Sequence, residues 1–172
     1  MSIAQAFLAE FEHEEKTTRK FLERVPADKL AWKPHEKSMT AGQLALHIAA
    51  SPAQVIQMAC EDCVALPDFG APNPQPGTVE EILRAWDETI ETVKRLLPSL
   101  DDARMQGTWS VHQDGRVVHS IPRMAFVRNI LLNHTYHHRG QLGVYLRLLG
   151  AKVPSSYGPS ADEMPELMPP GK

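Results

Sequence analysis

Apolar residues recur at three- and four-residue steps in four stretches of the chain, the spacing that lines one face of an α-helix. Over residues 2–25 the stripe is Ile3, Phe7, Phe11, Leu22 and Val25, and Ser2 stands where an N-cap belongs. Pro26 ends this helix, and the segment Trp32-Lys33-Pro34-His35 reads as an extended connector. Thr40-Ala41-Gly42-Gln43 is a capping box, in which hydroxyl and amide each satisfy a backbone donor. It opens a second helix with Leu44, His47, Ser51, Val55 and Met58 on one stripe. Pro52 inside it is expected to kink the helix or leave the Ile48 carbonyl unpaired. After a proline-rich loop over 67–77, a second capping box, Thr78 to Glu81, starts a third helix carrying Ile82, Trp86, Thr89, Val93 and Leu97.

Residues 108–120 are less regular. Trp109 to Gln113, then Asp114-Gly115, then Arg116 to His119 fit a small hairpin over an Asp-Gly turn, and fit an ordered loop as well. Pro122 suits the first turn of a fourth helix reaching Gly150, with Val127, Leu131, His134, His138, Leu142, Tyr145 and Leu149 facing inward. Residues 151–172 carry five prolines and are expected to be irregular. Four long amphipathic helices predict an all-α fold, a four-helix bundle, with the whole of 1–172 as one domain.

Composition narrows the function. A length of 172 residues supports a substantial core, and a net charge of −3 argues against nucleic acid as a partner. Two cysteines are too few for a disulfide framework, and the N-terminus lacks a signal-peptide pattern, so a cytoplasmic protein is expected. Residues 38–60 carry no Asp, Glu, Lys or Arg over the length of a membrane span. Gln43, His47, Ser51, Gln54 and Gln57 would be costly in lipid, so a buried helix and no membrane partner is the reading.

The chemistry concentrates on histidine. His134 and His138 lie one turn apart, where two imidazoles can reach one metal ion. His47, on the second helix, would supply a third ligand and leave an open coordination position. His137 should point about 100° away from His138 and stay outside that set. Glu14 and Thr18 interrupt the stripe of the first helix. Glu14 could accept a ligand histidine's second N–H or orient a metal-bound water, or it could sit at the rim. Cys60-Glu61-Asp62-Cys63 has no second pair for zinc and two acids that oppose a thiolate, so it reads as a helix end. Gly140 and Gly143 in mid-helix suggest close approach by another helix and motivate a homodimer. The remaining histidines, His13, His35, His112 and His119, read as solvated.

Leu44-Ala45-Leu46-His47-Ile48-Ala49, the block His134-Thr-Tyr-His-His138-Arg139-Gly140-Gln141-Leu142, and Val153-Pro154-Ser-Ser-Tyr157-Gly158-Pro159 together resemble the DinB-like, damage-inducible superfamily. The connector Trp32 to Ser38 matches too. The resemblance implies a four-helix bundle, often dimeric, holding a divalent metal such as zinc or nickel on His47, His134 and His138. It also implies kinship with mycothiol-dependent maleylpyruvate isomerase and bacillithiol S-transferases. The expected activity is therefore a metal-dependent one, with a low-molecular-weight thiol as co-substrate and a small electrophile as target. A metal-dependent hydrolase shares the same site logic, and a non-catalytic metal-binding stress-response module is the alternative.

Overall fold

The computed structural model of the chain describes residues 1–68 and 70–165. Three capping boxes start its first three long helices. Ser2 and Gln5 cap α1 (Ile3–Glu23), Thr40 and Gln43 cap α2 (Ala41–Cys60), and Thr78 and Glu81 cap α3 (Val79–Leu96). In each, the hydroxyl accepts from the N–H of the third helical residue, whose side chain accepts from the cap's own N–H. A short α4 (Asp102–Gln106) follows. The last helix is composite: α5 (Arg123–Phe126), a π-helical segment (Val127–Asn133) and α6 (His134–Leu148) run on as one rod.

These five helices are not an all-α four-helix bundle, and the fold expected from the hydrophobic pattern is corrected here. A three-stranded mixed sheet, in the order β1-β2-β3, is built into the molecule. The segment β2 (Thr108–Gln113) pairs antiparallel with β3 (Arg116–Pro122), so the hairpin alternative to an ordered loop is the one adopted. Asp114 (φ 50°) and Gly115 (φ 74°) both take left-handed geometry, as a tight turn matched to strand twist requires. The third strand, β1 (Cys63–Ala65), follows α2 directly and runs parallel to β2. It is three residues long, too short to show an alternating pattern. Backbone pairing supplied by β2 creates it, including Ser110 N–H to Asp62 O (3.0 Å) and Leu66 N–H to His112 O (2.8 Å).

The core lies around α2, which buries Leu44, Ala45, Ile48, Ala49, Val55, Ile56 and Ala59 between α3 and the composite rod. That enclosure explains why the helix carries no charge. From α3 come Ile82, Trp86, Thr89 and Val93, the expected stripe, and Leu97 is buried just beyond. Pro52 lies inside α2, which continues through it. One residue along from the Ile48 carbonyl that Pro52 deprives of a partner, the Ala49 carbonyl accepts from the Thr89 hydroxyl (2.6 Å). The sheet is pinned to the end of α2 by Trp109, whose indole N–H donates to Met58 O (3.0 Å) and whose ring stacks on Phe126 at 3.7 Å. Cys60 closes α2 and Cys63 opens β1, both as free thiols.

Beyond Gly150 (φ 73°), residues 151–165 form no helix or strand and lie against α1 and α6. The expected irregularity of 166–172 falls outside the described residues. No helix among the described residues is long and apolar enough to cross a membrane.

Candidate metal centre

The buried face of α6 is made by Thr135, Arg139, Leu142 and Leu146, not by the histidines. The π-helical segment accounts for this shift. Its i→i+5 bonding puts an additional residue into the turn and changes the phase of everything after it. Extrapolating an α-helical stripe from Val127 and Leu131 therefore puts His134 and His138 at the centre of the buried face. They stand half-buried at its edge, turned toward His47 on α2.

There the three rings converge. His134 Nε2 lies 3.0 Å from His138 Nε2 and 3.4 Å from His47 Nε2, and the three ligand atoms fall within 4.8 Å of one another. Two imidazole nitrogens sharing a tetrahedral ion at about 2.0–2.1 Å stand about 3.3 Å apart, so the spacing suits a single ion. The rings meet edge to face, with centroids 4.3–5.0 Å apart. His138 Nδ1 donates to the Gln141 amide oxygen (2.7 Å), which leaves Nε2 of that ring as a bare lone pair facing its neighbours.

His134 has the opposite difficulty. Its Nδ1 is buried with no hydrogen-bond partner among the described residues. Protonated at Nδ1, the ring carries an orphaned donor and turns a second lone pair toward that of His138. Protonated at Nε2, it satisfies His138 but leaves Nδ1 an orphaned acceptor. A cation among the three nitrogens removes the conflict between lone pairs, and this is the observation on which the residues fit a metal.

Electrostatics point the same way. Burial, then the neighbouring imidazoles His138, His47 and His137, push the His134 pKa down to about 4. Burial also lowers His47, with His138 contributing, and lowers His138 against the opposing effect of Gln141. Metal ligation needs neutral imidazoles, and this cluster keeps them neutral at pH 7.

A model of the DinB family matches residues 1–168. The chain belongs to the DinB family. Three crystal structures share the fold. A DinB-like protein from Bacillus cereus is 23% identical, with a TM-score of 0.69 over 89% of this chain and 97% of its own. A DinB-like protein from Bacillus subtilis is 20% identical, with a TM-score of 0.63 over 88% and 96%. A putative DinB family member from Exiguobacterium sibiricum is 17% identical, with a TM-score of 0.51 over 87% and 93%. No curated protein matches the sequence significantly.

Within this DinB-family chain, His47, His134 and His138 are brought together as the sequence suggested. His137 is exposed and lies outside the trio, its ring packed on the edge of His138 at 4.9 Å. Glu14 makes no hydrogen bond to His47, His134 or His138 among the described residues. It is buried, and Oε2 accepts from Arg139 Nη1 at 2.6 Å, while Thr18 Oγ1 accepts from the same nitrogen at 3.2 Å. Arg139 is 2% exposed and its guanidinium packs against the rings of both Tyr136 (5.3 Å) and Tyr157 (5.2 Å). The roles offered to Glu14 at the metal or at the rim therefore give way to one half of a buried ion pair. A signal was present on α1 alone, where Glu14 and Thr18 interrupt the apolar stripe; Arg139 lies off the stripe expected for the last helix.

Gly143 also has its reason inside the chain, because a Cβ there would lie 3.2 Å from the Phe21 ring of α1. A Cβ on Gly140 would meet nothing within 4 Å.

Proposed function

We propose that this chain holds a divalent ion, zinc or nickel, on His47, His134 and His138, and works as a thiol-dependent transferase on a small electrophile. The observation that carries the reading is the convergence of three Nε2 atoms, with Gln141 fixing the bare lone pair of His138. An ion bound there, with a coordination position open, would favour the thiolate over the thiol at neutral pH and ready it for attack. The chain's own part is positional. His47 and the α6 pair come from different helices and hold their rings edge to face, while Gln141 orients His138. Clefts against His138 and His47 favour a catalytic protein over a non-catalytic metal-binding module.

Metal analysis of untagged protein, followed by thiol consumption on a panel of electrophiles, tests the reading. The expected result is about one divalent ion per chain and consumption that stops on chelation. Metal-loaded protein that turns over no electrophile would overturn the enzyme and leave the binding module. Replacing His47, His134 or His138 by Ala should empty the site, whereas His137→Ala should stay loaded.

We also propose a homodimer through the outer face of α6, where Gly140, Val144 (59% exposed) and Leu148 (61%) form an apolar strip. Sedimentation should give twice the 19.2 kDa chain mass, and Leu148→Lys should return the monomer.

A further inference from the structure

Two clefts open onto the histidine trio, each touching a different ring. The one against His138 encloses about 480 Å³ and is lined by Pro34, Met39, Val144 and Tyr145 together with the polar Lys37, Ser38 and Gln141. The one against His47 encloses about 170 Å³ and is lined by Leu46, Ala50 and Pro74 together with the neutral polar Gln43, Ser51, Gln54 and Asn73. Clefts that enclose small organic ligands run from about 300 to 1,000 Å³. The first is of that size, and the second suits only a molecule of a few atoms.

The lining of the larger cleft is selective. Its apolar walls come from the connector before α2 and from α6, and Tyr145 is fixed there by its hydroxyl on Met39 O (3.3 Å) and its ring on Trp32. Histidines aside, the one charged side chain lining either cleft among the described residues is Lys37. Lys37 takes part in no ion pair among the described residues, although its backbone N–H is tied to His35 Nδ1 (3.2 Å), which fixes the connector. The neighbouring Lys33 spends its ammonium on the Glu36 carbonyl (2.9 Å) and lines neither cleft. A cleft that joins an apolar wall to one unneutralised cation and a metal ligand is complementary to a molecule of one kind.

We propose that the His138-side cleft is the organic subsite of the metal centre, that it takes a small organic anion with an apolar body, and that Lys37 is the residue that selects the anion's carboxylate. This rests on the metal reading above. The His47-side cleft is left for a small neutral molecule. Lys37 is a specificity residue and touches no reacting atom.

The test uses cobalt(II)-loaded protein, titrated with 3-mercaptopropionate and with its neutral analogue 3-mercaptopropanamide and followed by the visible spectrum of the cobalt. Comparing the acid-to-amide affinity ratio between variants cancels the difference in thiol acidity of the two probes. Lys37→Met should lower that ratio about fivefold, the upper end of what an exposed ion pair contributes. Lys37→Arg should preserve it, and Lys33→Met should leave it at the wild-type value. A ratio unmoved by Lys37→Met overturns the subsite, as does an equal fall in Lys33→Met, which would mark a general charge effect. Protein that binds no cobalt overturns the metal reading and the subsite with it. Protein whose cobalt spectrum responds to both probes without a Lys37-dependent ratio overturns the subsite alone.

Discussion

At His138 the proton's location follows from one neighbour. Gln141 presents an amide oxygen to Nδ1 at 2.7 Å, so Nδ1 must donate and Nε2 must be bare. Gln141→Leu removes that acceptor while keeping similar bulk, and metal affinity should fall 10–100-fold, as is typical when a ligand's hydrogen-bond partner is lost. Gln141→Glu keeps an acceptor and should retain the ion; competition with a chromogenic chelator measures both. His134 governs the response to acid. Its folded pKa of about 4 lies below the 6.5 of an ordinary histidine, so between these values the unfolded chain takes up a proton that the folded one refuses. The corresponding stability is complete above pH 6.5 and is lost as pH falls toward 4. Metal-free protein should accordingly show a lower urea midpoint at pH 5 than at pH 7.5, by a margin that shrinks in His134→Gln.

Between elements, the buried Arg139–Glu14 pair joins α6 to α1. Removing one member leaves the other charged and buried, which costs about 3–5 kcal/mol. Arg139→Met should therefore unfold at clearly lower urea, and the double replacement Glu14→Leu with Arg139→Leu should recover much of the loss. The same interface shows what the sequence could convey. Capping boxes at Ser2, Thr40 and Thr78 and the stripe of α3 were readable because each depends on residues three or four apart. The Asp-Gly turn was readable as one of two alternatives for the same reason. The strand β1 was not, because its partner β2 lies nearly fifty residues downstream. Nor was the π-helical turn, which alters hydrogen bonding without a residue signature and rotates the histidines off the buried stripe. The trio survived that error because i,i+4 spacing keeps His134 and His138 together whatever the phase. The role of Arg139 was not legible: it lies off the extrapolated stripe, and its partner on α1 lies 125 residues away.

Across the whole molecule, the sheet ties the end of α2 to the start of the composite rod, while the histidines face each other farther along the same two elements. His47 and His134 are 87 positions apart in the chain, with α3, α4 and the hairpin between them. An ion shared by them would act as a cross-link that closes about half the chain into a loop, and it could form only after that intervening structure is in place. Contacts that assemble late are absent from the folding transition state, so strengthening them slows escape from the native state and does not hasten arrival. Loading the protein should thus lower the unfolding rate in a stopped-flow urea jump and leave the refolding rate within twofold. The ion would serve as a latch on a finished fold rather than as a template for making one.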